Sequence, residues 1–163
     1  MNKVVSLEEL VDVVQMLRDK KKKIVFTNGV YDILHVGHIE TLEKSRALGD
    51  VLIVGINSDA STKQFKGDKR PIYTQEDRAQ MLAALACVDY VTVFNASGPQ
   101  ELFAIIKPDI WTKSGSLDPE RLKQEAPIVE QYGGRFHQLP VVLEKSTTKT
   151  IERILDVYRD LQK

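Results

Sequence analysis

Residues 24–38 read Ile-Val-Phe-Thr-Asn-Gly-Val-Tyr-Asp-Ile-Leu-His-Val-Gly-His, and the rest of the chain is arranged around them. Ile24, Val25 and Phe26 follow lysines 20–23 as a short apolar run, which predicts a strand buried on both faces. Asn28-Gly29 marks a turn or a place where the backbone comes close to something. Beyond it, His35, Gly37 and His38 open a helix, because Ile39, Leu42, Arg46 and Leu48 recur at roughly helical spacing. A strand, a glycine-bearing turn and a helix start gather free backbone N–H groups and the positive end of a helix dipole at one spot. That spot suits an anion, phosphate above all. Two imidazoles three residues apart add directed N–H donors, and Gly37 between them lets a phosphate approach the main chain.

Toward the N-terminus, Ser6-Leu7-Glu8-Glu9 has the form of a capping box, and Leu7, Leu10, Val11, Val14 and Leu17 share one helical face. The lysine run ends that helix, where cations suit the dipole, and reads as a solvated helix end. Toward the C-terminus, Leu48-Gly49-Asp50 is a turn and residues 51–56 are a second buried strand, so strand, helix and strand form a parallel unit. Residues 57–73 are polar and form a loop or short helix. Thr74-Gln75-Glu76-Asp77 starts a helix with Met81, Leu82 and Leu85 on its buried side. Residues 90–94 make a third strand, 99–106 a helix and 110–112 a short strand. Asp118-Pro119-Glu120 begins a helix broken or offset at Pro127 and ended by Gly133-Gly134. Residues 135–139 are the last strand and 148–161 a closing amphipathic helix.

This alternation predicts an α/β fold: one Rossmann-like domain over residues 1–163, with a parallel sheet of about five strands and helices on both faces. Residues 1–23 hold the N-terminal helix and lysine run, and 24–161 the core and closing helix. Ligands of such sheets sit beyond the carboxyl ends of the strands, where strand order reverses. The unusual polar clusters, at residues 27–38, 57–70, 113–118 and 143–148, all fall at those ends.

Composition narrows the classes. The chain has 163 residues, 42% hydrophobic and 28% charged, which suits one globular domain with a core of its own. Lys and Arg total 23 and so do Asp and Glu, so no global field draws nucleic acid or an acidic membrane. A single cysteine, Cys87, excludes an internal disulfide and reads as core. No apolar run is long enough to span a bilayer and there is no signal region, so a cytoplasmic location is expected. GxxxxGK[ST] and GxGxxG are both missing, which disfavours P-loop hydrolysis and dinucleotide redox chemistry. A metal site on His35 and His38 would need a third ligand, and the remaining histidine, His137, lies on a distant strand, so no protein metal ligand is assigned.

His-Val-Gly-His after a strand resembles the HxGH signature of the cytidylyltransferase-like nucleotidyltransferases. The chain is most similar to their heptose 1-phosphate adenylyltransferase branch. Four stretches carry the resemblance, in order: Thr27-Asn28-Gly29-Val30-Tyr31-Asp32-Ile33-Leu34-His35, Asn57-Ser58-Asp59-Ala60-Ser61-Thr62-Lys63, Lys66-Gly67-Asp68-Lys69-Arg70-Pro71 and Ser146-Thr147-Thr148. The resemblance implies transfer of AMP from ATP, with Mg²⁺, to a sugar 1-phosphate, giving an ADP-sugar and pyrophosphate. It implies catalytic roles for His35, His38 and Lys66, the last a clamp closing over the phosphates. It implies nucleotide contacts from Thr27, Asn28, Gly29, Gly37, Arg78, Ser146, Thr147 and Thr148, and an acceptor side of Asp32, Lys113, Ser116 and Asp118. Asp32 is otherwise structural, and Trp111 either core or acceptor wall. A stand-alone transferase and a homodimer are implied too. Where relatives carry Lys-Gly-Gly-Asp-Tyr, this chain has Lys113-Ser114-Gly115-Ser116-Leu117, which puts the acceptor in question. Adenylyl transfer to FMN, cytidylyl transfer to a polyol phosphate and a non-catalytic nucleotide-binding domain are the alternatives.

Overall fold

In the computed structural model, described here for residues 2–96, 98–115, 118–140 and 146–159, five strands alternate with helices. The order is α1 (Leu7–Asp19), β1 (Ile24–Gly29), α2 (Val36–Arg46), β2 (Val51–Asn57), α3 (Asp59–Lys66), α4 (Gln75–Ala83), β3 (Tyr90–Phe94), α5 (Gln100–Ile106), β4 (Ile110–Ser114), α6 (Pro119–Gln131), β5 (Arg135–Leu139) and α7 (Thr147–Val157). All strand pairs are parallel, in the spatial order β3-β2-β1-β4-β5. The chain leaves β1 in one direction through β2 and β3, then returns to its other side at β4. The strand order therefore reverses between β1 and β4, the place where open parallel sheets hold ligands.

Strand alternation divides the core. Ile24, Phe26 and Ile53 point to one face with Leu10, Leu17, Phe103 and Trp111, under α1, α5 and α6. Val25, Leu52 and Val54 point to the other with Leu42, Ala79 and Leu82, under α2 and α4. Burial of each Val, Leu, Ile or Phe among these is worth roughly 1.5–3 kcal/mol against exposure.

Helix starts follow their caps. Ser6 and Glu9 complete a reciprocal capping box, and Thr74, Asp118 and Ser146 cap α4, α6 and α7. Several details depart from the expectations. Val11 is 51% exposed, because the buried stripe of α1 is Leu10, Val14 and Leu17. On α4 the buried side is Arg78, Ala79 and Leu82, while Met81 is half-buried and Leu85 lies past the helix end. β4 runs two residues beyond Thr112, as Lys113 and Ser114 pair with β5. α6 is unbroken at Pro127, whose ring lies on the solvent side, so water can reach the carbonyl deprived of its N–H partner. Residues 3–5 also join the edge of the sheet: Val91 N–H donates to Lys3 O and Val5 N–H to Val91 O. Cys87 is a half-buried thiol. α7 buries none of its described residues, and Ile154, Leu155, Val157 and Tyr158 are exposed.

Candidate active site

A cleft of about 640 Å³ opens over the carboxyl ends of β1 and β4. Thr27, Asn28, Gly29, Asp32, His35, Gly37, His38, Lys66, Lys113, Asp118, Ser146, Thr147 and Thr148 all line it. Residues from positions 27 to 148 thus meet in one place. Ser116, expected on the acceptor side, and residues 143–145 lie outside the described residues.

His35 is the N-cap of α2, and its Nδ1 accepts from the His38 backbone N–H at 3.4 Å. That acceptor role puts the ring proton on Nε2, leaving one N–H donor. The two imidazoles stack at 3.7 Å with planes 19° apart. Burial, followed by the neighbouring His35, pushes His38 down to about 4, and burial also lowers His35. Burial thus favours the neutral ring at both positions, and a neutral imidazole still carries one N–H donor. His38 Nδ1 is buried without a hydrogen-bond partner among the described residues. Tyr31 wedges the pair: its ring meets His38 edge-on at 5.2 Å, and its backbone holds φ 52°. Gly29 makes room for this, since a Cβ there would stand 3.1 Å from Tyr31 Cε2. Burial pushes the Tyr31 hydroxyl up to about 12, so it stays protonated.

Asn28 is fixed from two sides. Trp111 Nε1 donates to its side-chain oxygen at 3.1 Å, and Lys113 Nζ to its main-chain oxygen at 2.7 Å. Trp111 is thus core and cleft wall at once. Burial pushes the Lys113 ammonium down to about 8, against the raising effect of Glu125, a buried carboxylate that also lines the cleft. Ser114, one of the departures from the family loop, bonds Thr41 of α2 hydroxyl to hydroxyl at 2.9 Å and docks the loop on the histidine helix. Ser146 caps α7, so that helix's first turn faces the cleft with Thr147 and Thr148.

Arg78 is placed otherwise than the resemblance implied, and Asp32 takes the structural role that stood as its alternative. Arg78 does not line the cleft among its described walls. It is 0% exposed and spends its nitrogens on Val30 O at 2.6 Å, Tyr73 O at 3.2 Å and Asp59 Oδ1 at 2.7 Å. The pull of Asp59 and two buried carbonyls turns it inward. Asp32 lies at the cleft but is 1% exposed, with Oδ2 held by Arg70 and Oδ1 by the backbone N–H groups of Ile72 and Tyr73. Its oxygens are occupied by protein donors, which makes it a holder of residues 70–73. Tyr31, Arg70, Glu125 and Ser114 line the cleft without having been singled out as site residues. Of these, only the basic run around Arg70 left a signal in the sequence.

A family model described as cytidylyltransferase-like matches residues 26–153. Bifunctional protein HldE of Syntrophotalea carbinolica is 47% identical over 157 residues, covering 96% of this chain and 32% of that protein. Its namesake in Trichlorobacter lovleyi is 44% identical over 161 residues, 99% of this chain and 33% of that protein. The chain thus spans about a third of the length of these curated relatives. Among solved structures, the lipopolysaccharide core biosynthesis protein of Thermoplasma volcanium matches with TM-score 0.62 and 28% identity, covering 76% of this chain and 99% of that one. The pantoate-beta-alanine ligase of Francisella tularensis matches with TM-score 0.66 at 18% identity, covering 100% and 80%, a likeness of fold.

Proposed function

The chain belongs to the cytidylyltransferase-like family, and from that premise we propose that it transfers AMP from ATP to a sugar 1-phosphate, most specifically a heptose 1-phosphate. The observation that carries the reading is the stacked, neutral His35–His38 pair at the start of α2, above the point where strand order reverses. An anionic oxygen of the acceptor phosphate attacks the α-phosphorus of ATP, the bond to the β-phosphate breaks, and pyrophosphate leaves. No proton has to move, because the nucleophile is already ionised. The protein's part is positioning and stabilisation of charge on the phosphoryl oxygens. Neutral imidazole N–H groups donate to those oxygens. Lys66 and Lys113 supply cationic donors, the latter fixed on Asn28 O. The first turn of α7 offers main-chain N–H groups and the Thr147 and Thr148 hydroxyls to the remaining phosphates.

Mg²⁺ is expected to travel with the triphosphate, neutralising it and keeping water ligands. Among the described residues no three His, Cys, Asp or Glu side chains gather as a metal site, and both oxygens of Asp32 accept from protein donors. The heptose assignment is supported by the resemblance at residues 57–63 and 66–71. A single domain, a homodimer and a cytoplasmic location complete the reading. No helix among the described residues is long and apolar enough to cross a membrane. The exposed apolar residues of α7 suit a subunit contact, and sedimentation as a monomer at micromolar concentration would count against it.

The test is a panel of ATP, CTP, GTP and UTP against heptose 1-phosphate, hexose 1-phosphates, glycerol 3-phosphate and FMN, read by pyrophosphate release. ATP with a sugar 1-phosphate should lead. A preference for CTP, or turnover only with FMN, overturns the substrate assignment. ATP binding without pyrophosphate release for any acceptor supports the non-catalytic alternative.

A further inference from the structure

Arg70 stands at the cleft with a side chain 17% exposed. Its Nε donates to Asp32 Oδ2 at 2.5 Å, while its two terminal nitrogens make no hydrogen bond among the described residues. The base beneath it is rigid. Asp32 Oδ1 accepts from the backbone N–H of Ile72 at 2.8 Å and of Tyr73 at 3.0 Å. From below, buried Arg78 ties Tyr73 O to Val30 O. Residues 70–73 are thus braced against 30–32 from two directions. A guanidinium held side-on through Nε keeps its terminal N–H groups in one plane, a fork that matches two oxygens of a phosphate. Lys66, by contrast, carries a point charge on a flexible stem beside the Phe65 ring.

We propose that Arg70 is a phosphate-binding residue of this cleft and that Asp32 is its positioning residue. The inference rests on the nucleotidyl-transfer reading only for the source of the phosphate, which is either the pyrophosphate end of the nucleotide or the acceptor's own phosphate. Both carry the same chemistry. Asp32 compensates the charge of Arg70 at long range but leaves the fork directed donors at short range. Recognition is therefore geometric, and a lysine at position 70 would not reproduce it.

The experiment is calorimetric titration of the full chain with inorganic pyrophosphate and, separately, with a hexose 1-phosphate. Wild type is compared with Arg70→Ala, Arg70→Lys and Asp32→Asn. Arg70→Ala should weaken one of the two ligands by about tenfold or more, as expected for a charge-assisted bidentate contact, and the ligand affected names the source. Arg70→Lys should lose nearly as much. Asp32→Asn keeps an oxygen for the two backbone donors but turns an NH₂ toward Arg70, so it should weaken the same ligand and leave the other alone. Unchanged affinity for both ligands in Arg70→Ala overturns the inference with the transferase reading intact. Full rescue by lysine overturns the fork, and an unaffected Asp32→Asn overturns the positioning role. Wild type that binds neither ligand overturns the transferase reading itself.

Discussion

Arg78→Met separates two roles for a residue that the family resemblance places among the nucleotide contacts. Methionine keeps much of the length and apolar bulk of the arginine stem, so packing changes little and the lost groups are polar. The substitution removes donors from Val30 O, Tyr73 O and Asp59 Oδ1 at once. Breaking a buried ion pair costs about 3–5 kcal/mol. Asp59 is a third exposed and recovers hydration, so the lower end applies, about 3 kcal/mol. For a chain of this length each kcal/mol moves Tm by roughly 2–4 °C, giving a drop of about 6–12 °C. Thermal unfolding of the two proteins measures it, and ATP titration well below both midpoints supplies the second axis. The expected result is a large fall in Tm with ATP affinity retained within about threefold. An unchanged Tm with ATP affinity lost would show that Arg78 reaches the nucleotide and that the inward arrangement is not the working one.

Replacing His38 by Ala should lower kcat by about a hundredfold or more, the scale of one removed transition-state donor, with a smaller effect on ATP binding. An equal loss confined to affinity would mean ground-state binding. Because the folded His38 titrates near 4 and the unfolded one near 6.5, the unfolded chain binds more protons between those values. Stability is then full above pH 6.5 and falls as pH drops toward 4; urea midpoints measured across that window should decline in wild type and decline less in His38→Gln. The Lys113 ammonium, held near 8, loses its charge above that pH, so kcat/KM should fall on the alkaline side; Lys113→Arg should remove that limb, and an unaltered limb refutes the assignment.

The sheet was readable because buried parallel strands are short apolar runs, as at residues 24–26 and 51–56, set between amphipathic helical stretches. The position of the cleft was readable for a similar reason, since strand, glycine turn and helix start lie within fifteen residues. What escaped is non-local. An arginine in a first helical turn reads the same whether it faces solvent, phosphate or core. Asp59, Val30 O and Tyr73 O decide the matter, and none is adjacent in sequence. For Asp32 the choice between acceptor side and structural role is decided only when residues 70–73 fold back on it. Pro127 predicts a helix broken or offset there, but its place on the solvent side is set by how α6 packs, which no local pattern encodes. Val11 fits a five-residue helical stripe, yet α1 presents a narrower one to the sheet. The use of Ser114 needed the position of Thr41 on another helix.

In the proposed reaction an acceptor phosphate attacks the α-phosphorus of ATP, and the histidine pair stabilises the charge. Phosphorus NMR of the wild-type reaction with ATP and a sugar 1-phosphate tests it most directly, with His38→Ala run beside it. The wild type should give equal amounts of pyrophosphate and a new nucleotide-sugar diphosphate, acceptor-dependent, and the variant near silence. ADP with orthophosphate as products, AMP released without acceptor, or undiminished transfer by His38→Ala would contradict it.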